Sequence, residues 1–167
     1  MYRKPESFIG EVIDGHRIDA VLGRGGMGTV FAAENLALSR TVAFKMINPV
    51  LAQDESFLRR FRLEARALAQ LQHPNIVLVY AFRATPEGAY ISMEYVDGVT
   101  LADFVETNGP VHWQIALGLM RQMLAAFQVA HGAGVIHRDI KPRNILINHD
   151  LGIMRWPRLV LRILQMV

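Results

Sequence analysis

The feature that most constrains the fold is a set of three strand-like segments in the first third of the sequence, separated by glycines and polar turns. These segments read HRIDAVLG, GTVFAAEN and TVAFKMI, at residues 16–23, 28–35 and 41–47. They are apolar, partly alternating and rich in β-branched residues, which is typical of half-buried strands. An amphipathic helix is predicted to follow over residues 54–72, with Asp54 or Ser56 as its N-cap.

The later elements change the balance from strands to helices. IVLVYAF and AYISMEYV are predicted strands joined by the turn TPEG, and a short helix is expected from Thr100. A longer helix over residues 112–131 should end at Gly132 and Gly134. The apolar residues predicted to share one side of it are Ile115, Leu119, Met123, Phe127 and Ala130. This order lacks the strict alternation of strands and helices that is typical of a doubly wound parallel sheet. It predicts an α+β fold in which a small antiparallel sheet with one helix is followed by a helical lobe.

Composition excludes several classes of protein. Of the 167 residues, 51% are hydrophobic and 20% charged, which suits a globular chain with a core. The absence of cysteine excludes disulfides and thiolate metal sites and is compatible with a cytoplasmic location. No apolar run reaches the roughly 18 residues of a membrane span, so we expect no membrane segment in this chain.

The charge excess is confined to the tail. Lys and Arg number 18 against 15 Asp and Glu, and the difference equals Arg155, Arg158 and Arg162. The body of the chain has no basic stripe with interleaved aromatic residues, so no nucleic-acid partner is expected. The composition therefore shifts near residue 150.

A glycine-rich stretch, LGRGGMGTV, places Gly23, Gly25 and Gly28 in G-x-G-x-x-G spacing. Glycine lets backbone N–H groups approach phosphate oxygens closely, although a plain flexible hairpin has the same spacing. A dinucleotide-binding loop would open into a helix, whereas a strand-like segment follows here. A Walker A loop would need Gly-Lys-Ser/Thr, which is absent. A glycine-rich hairpin that covers nucleotide phosphates fits best.

A lysine in a strand and a glutamate on the next helix form a candidate pair. Lys45 lies among apolar residues of TVAFK, where it either faces solvent or needs a partner. Glu64 interrupts the apolar stripe of the predicted helix formed by Phe57, Phe61, Leu68 and Leu71. Glu64 could pair locally with Arg60, or with Lys45, which would then reach the α- and β-phosphates of ATP.

The segment HRDIKPRN concentrates polar residues between two apolar stretches. Asp139 can accept the proton of an attacking hydroxyl and orient it, and Lys141 can neutralise charge on a transferring phosphoryl group. The side-chain oxygen of Asn144 can ligate Mg²⁺, a hard cation that prefers oxygen. A chance surface loop is the alternative.

Taken together, these segments resemble the eukaryotic-type protein kinases, most closely the bacterial serine/threonine branch. The matching stretches are LGRGGMGTV, TVAFK, FRLEARALAQLQHPNIV, ISMEYVDGVTLADF and GVIHRDIKPRNIL, in family order over about residues 16–147. The resemblance implies a two-lobed fold, ATP and Mg²⁺ as cofactors, Asp139 and Lys141 as catalytic residues and Asn144 as a metal ligand. Lys141, two residues after the aspartate, follows the serine/threonine pattern.

The resemblance also implies an ATP site, with Met93 as the gatekeeper and Glu94 to Val96 as the hinge that binds adenine. The residues so assigned to ATP are Leu22, Gly23, Gly25, Gly28, Val30, Ala43, Lys45, Glu64, Met93, Glu94 and Val96. It divides the chain into an N-terminal extension, an N-lobe with its hinge, a partial C-lobe and a tail outside the family pattern. These parts are residues 1–15, 16–96, 97–149 and 150–167.

The family pattern fails after the catalytic loop. The metal-binding Asp-Phe-Gly, the activation loop and the Ala-Pro-Glu motif are missing, and the incomplete helical lobe indicates truncation. Asp150 of DLG is a doubtful metal ligand, because it follows Asn144 too closely for the usual hairpin. A frame change near codon 150, a wrongly predicted reading frame and a real short product all remain open.

The resemblance thus implies a serine/threonine protein kinase that transfers the ATP γ-phosphoryl group to protein hydroxyls. Because the later motifs are missing, we expect this chain to have little or no activity. The alternative is an inactive ATP-binding fragment or pseudokinase-like regulator. Neither the protein substrate nor the oligomeric state is indicated by the sequence.

Overall fold

The computed structural model describes residues 3–85 and 88–148, together with the backbone of residues 159–161. The chain forms two compact units, one of Met1–Arg66 with Val79–Tyr95 and the other of Ala67–Leu78 with Val96–Val167. The strands are β1 Val12–Ile13, β2 His16–Gly25, β3 Gly28–Asn35, β4 Arg40–Ile47, β5 Val79–Thr85, β6 Gly88–Glu94, β7 Gly98–Thr100, β8 Ile145–Asn148 and β9 Leu159–Leu161. The α-helices are α1 Pro49–Ala52, α2 Glu55–Ala69, α3 Leu101–Asn108 and α4 Trp113–Gly132, with 3-10 helices at Pro5–Phe8 and Pro142–Asn144.

The first unit is built on a six-stranded antiparallel sheet with the order β1-β2-β3-β4-β6-β5. The five strands predicted from the sequence are all present, and the α+β prediction is confirmed. Short β1 and the 3-10 helix before it are additional elements. Because sequential strands pair by hairpins, the glycine-rich stretch lies at the β2–β3 connection.

The sheet has two faces with different side chains, since residues alternate along a strand and directly opposed residues share a face. We call one the core face; its buried cluster is Ile18, Phe31, Ala33, Val42, Phe44 and Tyr90. We call the other the lysine face; it carries Val30, Ala43, Lys45, Ile91 and Met93. Phe44 stacks on Tyr90 with ring centroids 4.4 Å apart, which ties β4 to β6 on the core face.

Helix α2 begins after Asp54, whose carboxylate accepts the backbone N–H groups of Ser56 at 2.8 Å and Phe57 at 3.1 Å. Asp54 is therefore the N-cap, and the pKa of its carboxyl group is lowered by a hydrogen bond from the Ser56 side chain and by these backbone hydrogen bonds. The predicted apolar stripe is buried, and Ala65 adds to it. Phe61 contacts Phe82 with ring centroids 5.6 Å apart. The helix ends at Ala69, earlier than predicted.

The second unit contains α3 and α4 and the small antiparallel sheet β7-β8-β9. Thr100 caps α3 by accepting the Asp103 N–H at 3.1 Å, as its position predicted. The buried residues of α4 are Leu119, Met123, Ala126 and Ala130. Of the other residues on the predicted side, Ile115 is 38% exposed and Phe127 is half-buried. Periodicity gives the direction of a side chain but not the turn at which packing begins.

The end of α4 matches its prediction. The helix ends at Gly132, and Gly134 adopts φ +76°, the left-handed conformation that favours glycine after a helix. None of the helices in the described part of the chain is long and apolar enough to cross a membrane.

Candidate functional site

The glycine-rich hairpin is closed by the pair Gly25 and Gly28, with Gly26 and Met27 in the turn. Gly28 has φ +145°, and a Cβ added there would overlap the carbonyl oxygen of Met46. Gly28 is thus required by the fold itself. A Cβ added at Gly23 or Gly25 would meet no heavy atom within 4 Å. These two glycines leave the open space beside the backbone that a close phosphate group would need.

Asn48 holds the turn of this hairpin, a role that sequence reasoning missed. Its backbone N–H donates to the Met27 oxygen at 2.8 Å, and its side-chain amide donates to the Gly26 oxygen at 3.4 Å. Its Oδ1 accepts the Val50 N–H at 3.0 Å and caps α1. An asparagine before a proline at the first helical position is a readable cap signal, but the link to the turn is not.

Lys45 lies in β4 on the lysine face, directly opposite Val30 on one side and Ile91 on the other. The residue is 6% exposed, so the alternative in which Lys45 faces solvent is wrong. Ala43 lies two residues away on the same face, opposite Met93. A buried ammonium group is thereby bordered by apolar side chains, an arrangement that favours a polar or charged partner.

Glu64 is half-buried on α2, within the same unit as Lys45. Neither Lys45 nor Glu64 is without a partner. Their mutual ion pair, as opposed to a pair of Glu64 with Arg60, stays a prediction.

The remaining residues assigned to ATP lie at two places. Leu22 is 47% exposed in β2, one residue before Gly23. Met93 and Glu94 end β6, with Met93 buried and Glu94 half-buried opposite Val42. Val96, the last hinge residue, is half-buried in the second unit. Their contacts with adenine remain predictions.

The catalytic-loop residues are brought together in the second unit. Asn144 is buried, and its Nδ2 donates to the backbone oxygen of Asp139 at 2.8 Å and to its carboxylate at 3.1 Å. The Lys141 ammonium group lies 2.7 Å from the same Oδ2 atom. The three residues that the sequence singled out thus converge on one carboxylate.

The backbone around Asp139 is held by His137, which is buried. The Asp139 N–H donates to the His137 oxygen at 2.8 Å and to its ring Nδ1 at 3.2 Å. Arg138, between them, adopts φ +59°, a left-handed conformation that is costly without glycine and is concentrated at functional sites. The loop is therefore held in one unusual conformation by several hydrogen bonds.

The hydrogen bond from Lys141 lowers the pKa of Asp139, and the hydrogen bond from Asn144 acts in the same direction. Asp139 is consequently an ionised acceptor near neutral pH. Such a carboxylate can orient a hydroxyl group by accepting its hydrogen bond, and Lys141 brings a cation beside it.

Metal-ligand candidates are few in the part of the chain that the structure describes. No cluster of three His, Cys, Asp or Glu side chains occurs there. Because Asn144 donates through Nδ2, its Oδ1 is the oxygen that would ligate a cation. This chemistry fits Mg²⁺, which is commonly held by one or two protein oxygens together with phosphate oxygens and water. Asp150, the doubtful second ligand, lies outside the described residues.

Comparisons with known proteins agree with this geometry. The family model described as protein kinase domain matches residues 16–156. The serine/threonine-protein kinase PrkC of Bacillus subtilis is 46% identical over 142 residues, which cover 84% of this chain and 22% of PrkC. PknB of Mycobacterium tuberculosis is 46% identical over 153 residues, with 85% of this chain and 24% of PknB covered. The chain thus spans less than a quarter of these curated relatives.

Solved structures show the same fold. The Mycobacterium tuberculosis PknI kinase domain superposes with a TM-score of 0.76 at 27% identity, over 91% of this chain and 60% of the solved kinase-domain chain. A structure of Rad53 in complex with AMP-PNP superposes with a TM-score of 0.71 at 35% identity, over 81% of this chain and 35% of that one. The family match spans all the candidate residues of this site, and the chain belongs to the protein kinase family.

Proposed function

We propose that this chain carries the ATP-binding and catalytic-loop residues of a serine/threonine protein kinase. The observation that carries the proposal is the convergence of Lys141 and Asn144 on the Asp139 carboxylate. The relatives that share these segments are named serine/threonine-protein kinases, which supports the same assignment here.

ATP is the proposed nucleotide, and the Rad53 structure in complex with AMP-PNP supports this choice. Apolar Val30, Ala43 and Met93 would contact adenine, and the backbone from Glu94 to Val96 would hydrogen-bond to its edge. Lys45 would reach the α- and β-phosphates with Glu64 as its partner. Since ATP is supplied in the cytoplasm, the proposal places this part of the protein there.

The glycine hairpin would cover the phosphates with backbone N–H groups, where Gly23 and Gly25 leave open space. Leu22, before the first glycine, would border the adenine. Gly28 would act mainly by allowing β3 to approach β4 closely.

The catalytic loop would act on the acceptor hydroxyl. Asp139 would orient the serine or threonine hydroxyl and take its proton as the hydroxyl oxygen bonds to the γ-phosphorus, whose bond to the bridging oxygen breaks and releases ADP. Because the pKa of Asp139 is lowered, its carboxylate is a weak base and would accept little of the proton before the bond to phosphorus forms. Orienting the hydroxyl would therefore be its larger contribution to the rate. Lys141 would neutralise charge on the transferring phosphoryl group.

Asn144 Oδ1 would provide one ligand to Mg²⁺. When bound, the metal supplies charge neutralisation to the phosphate oxygens. The hydrogen bonds from Asn144 Nδ2 to Asp139 would then keep the metal ligand and the hydroxyl-orienting carboxylate at a constant separation.

Transfer of radiolabelled γ-phosphate from Mg·ATP to casein tests the proposal. Any transfer that the chain supports should fall at least 100-fold in Asp139→Asn, a usual effect of losing a positioned proton acceptor. Asp19→Asn, an exposed acid in β2 far along the chain from the loop, is the matched control and should leave the rate unchanged. Saturable ATP binding without transfer would support the alternative of a non-catalytic nucleotide-binding protein.

A further inference from the structure

The N-terminal segment, residues 3–11, precedes the family match and has no role in the proposed function. It is nevertheless ordered by its own contacts. Arg3 pairs with Glu11 at 2.5 Å and lies over the Phe8 ring at 4.2 Å, and the Ser7 hydroxyl donates to the Lys4 oxygen at 2.7 Å.

This segment contacts the β2–β3 hairpin at its base and in its middle. At the base, Gly10 N–H donates to the Ile18 oxygen at 2.8 Å, and Ile18 N–H donates to the Glu11 oxygen at 2.9 Å. In the middle, Phe8 packs edge-on against Phe31 with ring centroids 6.2 Å apart. The segment therefore lies along the core face of the hairpin.

A third contact reaches the glycine-rich stretch itself. Glu6 forms an ion pair with Arg24, the residue between Gly23 and Gly25. Arg24 lies opposite Thr29, whereas Gly23 lies opposite Val30 of the lysine face. By strand alternation, Arg24 shares the core face with Thr29 and points away from the face proposed to bind ATP. Arg24 is therefore placed to anchor the loop rather than to bind phosphate.

The other hydrogen bonds and ring contacts given above for the segment and the hairpin lie nearer the base and middle of the hairpin. A cavity of about 830 Å³ separates parts of the segment from the sheet, and its walls include Phe8, Thr29, Phe31 and Met46. Arg24 is six residues beyond Ile18, roughly 20 Å along an extended strand. The ion pair thus acts on exposed Arg24, on the strand that leads into the turn held by Asn48.

We propose that Glu6 and Arg24 are positioning residues for nucleotide binding. Through their ion pair, the N-terminal segment restrains the loop and pre-organises the backbone N–H groups around Gly23 and Gly25 for the phosphates. This inference rests on the proposed ATP-binding function. Restraining a loop in its binding conformation raises affinity because less ordering is needed on binding.

The exposure of the Arg24 and Glu6 side chains sets the expected change in ATP affinity. The side chains of Arg24 and Glu6 are 54% and 55% exposed, and exposed ion pairs contribute modestly. Loss of the pair should therefore raise the Kd for ATP about two- to fivefold. Adenosine lacks phosphates, so its Kd should not change.

A double-mutant cycle on the full 167-residue chain tests the inference, with ATP and adenosine titrated by calorimetry. Glu6→Ala and Arg24→Ala should each weaken ATP binding, and the double variant should be no weaker than Arg24→Ala alone. Glu11→Ala is the matched control, because it breaks the other ion pair of the segment without touching the hairpin loop. If Glu6 acted only by repelling the negative phosphates, removing its carboxylate would tighten ATP binding. The proposed restraint predicts the opposite change, weaker ATP binding in Glu6→Ala.

Hydrogen exchange of the ligand-free chain measures the restraint of the loop without ATP, so it tests this inference independently of the proposed function. Amides of residues 22–28 should exchange faster in Glu6→Ala than in the parent chain or in Glu11→Ala. If the parent chain binds no ATP but this acceleration occurs, the proposed function fails while the restraint stands. Unchanged exchange, additive effects in the cycle, or equal losses for ATP and adenosine would overturn the inference.

Discussion

The side-chain amide of Asn144 donates two hydrogen bonds to Asp139, one to its backbone oxygen at 2.8 Å and one to its carboxylate at 3.1 Å. The proposed metal ligand and the proposed hydroxyl-orienting group are therefore one hydrogen-bonded unit. Since Asn144 is buried, a change at this position affects both stability and chemistry.

Asn144→Ala should lower the free energy of unfolding by about 1–3 kcal/mol, because it removes the two hydrogen bonds that a buried side chain donates to the half-buried Asp139. Urea denaturation measures the loss. Asn108→Ala is the control, since Asn108 is exposed and donates to the Phe104 oxygen within α3; it should cost less than about 0.5 kcal/mol. Equal losses in the two variants would contradict a structural role for Asn144.

The pKa of Asp139 should rise in Lys141→Met, because Lys141 is the largest cause of its lowering. A carboxyl group whose folded-state pKa is lowered contributes stability above its unfolded value of about 3.9. That contribution disappears as pH falls through the lower folded-state pKa. The variant should therefore show a smaller loss of stability on acidification below about pH 4.

Carboxyl carbon chemical shifts measured against pH report the Asp139 titration directly. Asn144 still donates to Asp139 in Lys141→Met, so the pKa should move toward the ordinary value without reaching it. Lys4→Met serves as the control for loss of a lysine elsewhere. An Asp139 titration that is the same in the parent chain and Lys141→Met would show that the ion pair does not form in solution.

Gly28→Ala and Gly25→Ala should separate the two roles of the glycine-rich stretch. Gly28→Ala places a side chain at φ +145° against the Met46 carbonyl and should cost at least about 2 kcal/mol of stability. Gly25→Ala meets no atom and should change stability by less than about 0.5 kcal/mol. It should instead weaken ATP binding, where its methyl group obstructs the phosphates. Denaturant unfolding measures the stability of both variants, and ATP titration measures their affinity. A larger stability loss in Gly25→Ala than in Gly28→Ala, or unchanged ATP affinity in Gly25→Ala, would contradict the prediction.

The exposed face of α4 should make the chain self-associate. Trp113 is 66% exposed and Leu124 is 59% exposed, and Leu117 and Met120 lie between them on the same side of the helix. Sedimentation velocity should show a mass that increases with concentration. Leu117→Gln with Leu124→Gln should reduce this association, whereas Leu38→Gln, which changes an exposed leucine in the turn between β3 and β4, should not. A concentration-independent monomer would contradict the prediction.

Much of the first unit could be predicted because its strands alternate in local sequence. Glycines and polar turns mark the ends of β2, β3 and β4, and the apolar spacing of α2 identifies its buried stripe. The burial of Lys45 was not predictable with the same certainty. An isolated strand has two faces, and only pairing with β3 and β6 decides which one is covered.

Contacts between residues far apart in the sequence, or within irregular segments, could not be predicted from the sequence. The motif HRDIKPRN identified Asp139, Lys141 and Asn144 by chemical type. Their convergence, however, depends on the left-handed Arg138 and on the hydrogen bonds that the Asp139 N–H donates to His137. The ion pair of Glu6 with Arg24 likewise joins residues that no periodicity relates. Ile115 lies on the predicted side of α4 and is nevertheless exposed, because helical spacing does not report what packs against each turn.

The most direct test of the central claim is a calorimetric titration of the 167-residue chain with Mg·ATP, repeated for Lys45→Met and for the exposed control Lys4→Met. We predict saturable binding by the parent chain and by Lys4→Met, and at least tenfold weaker binding by Lys45→Met, since Lys45 is the buried cation on the proposed nucleotide face. No saturable binding by the parent chain, or an unchanged Kd in Lys45→Met, would contradict the assignment of this face to ATP.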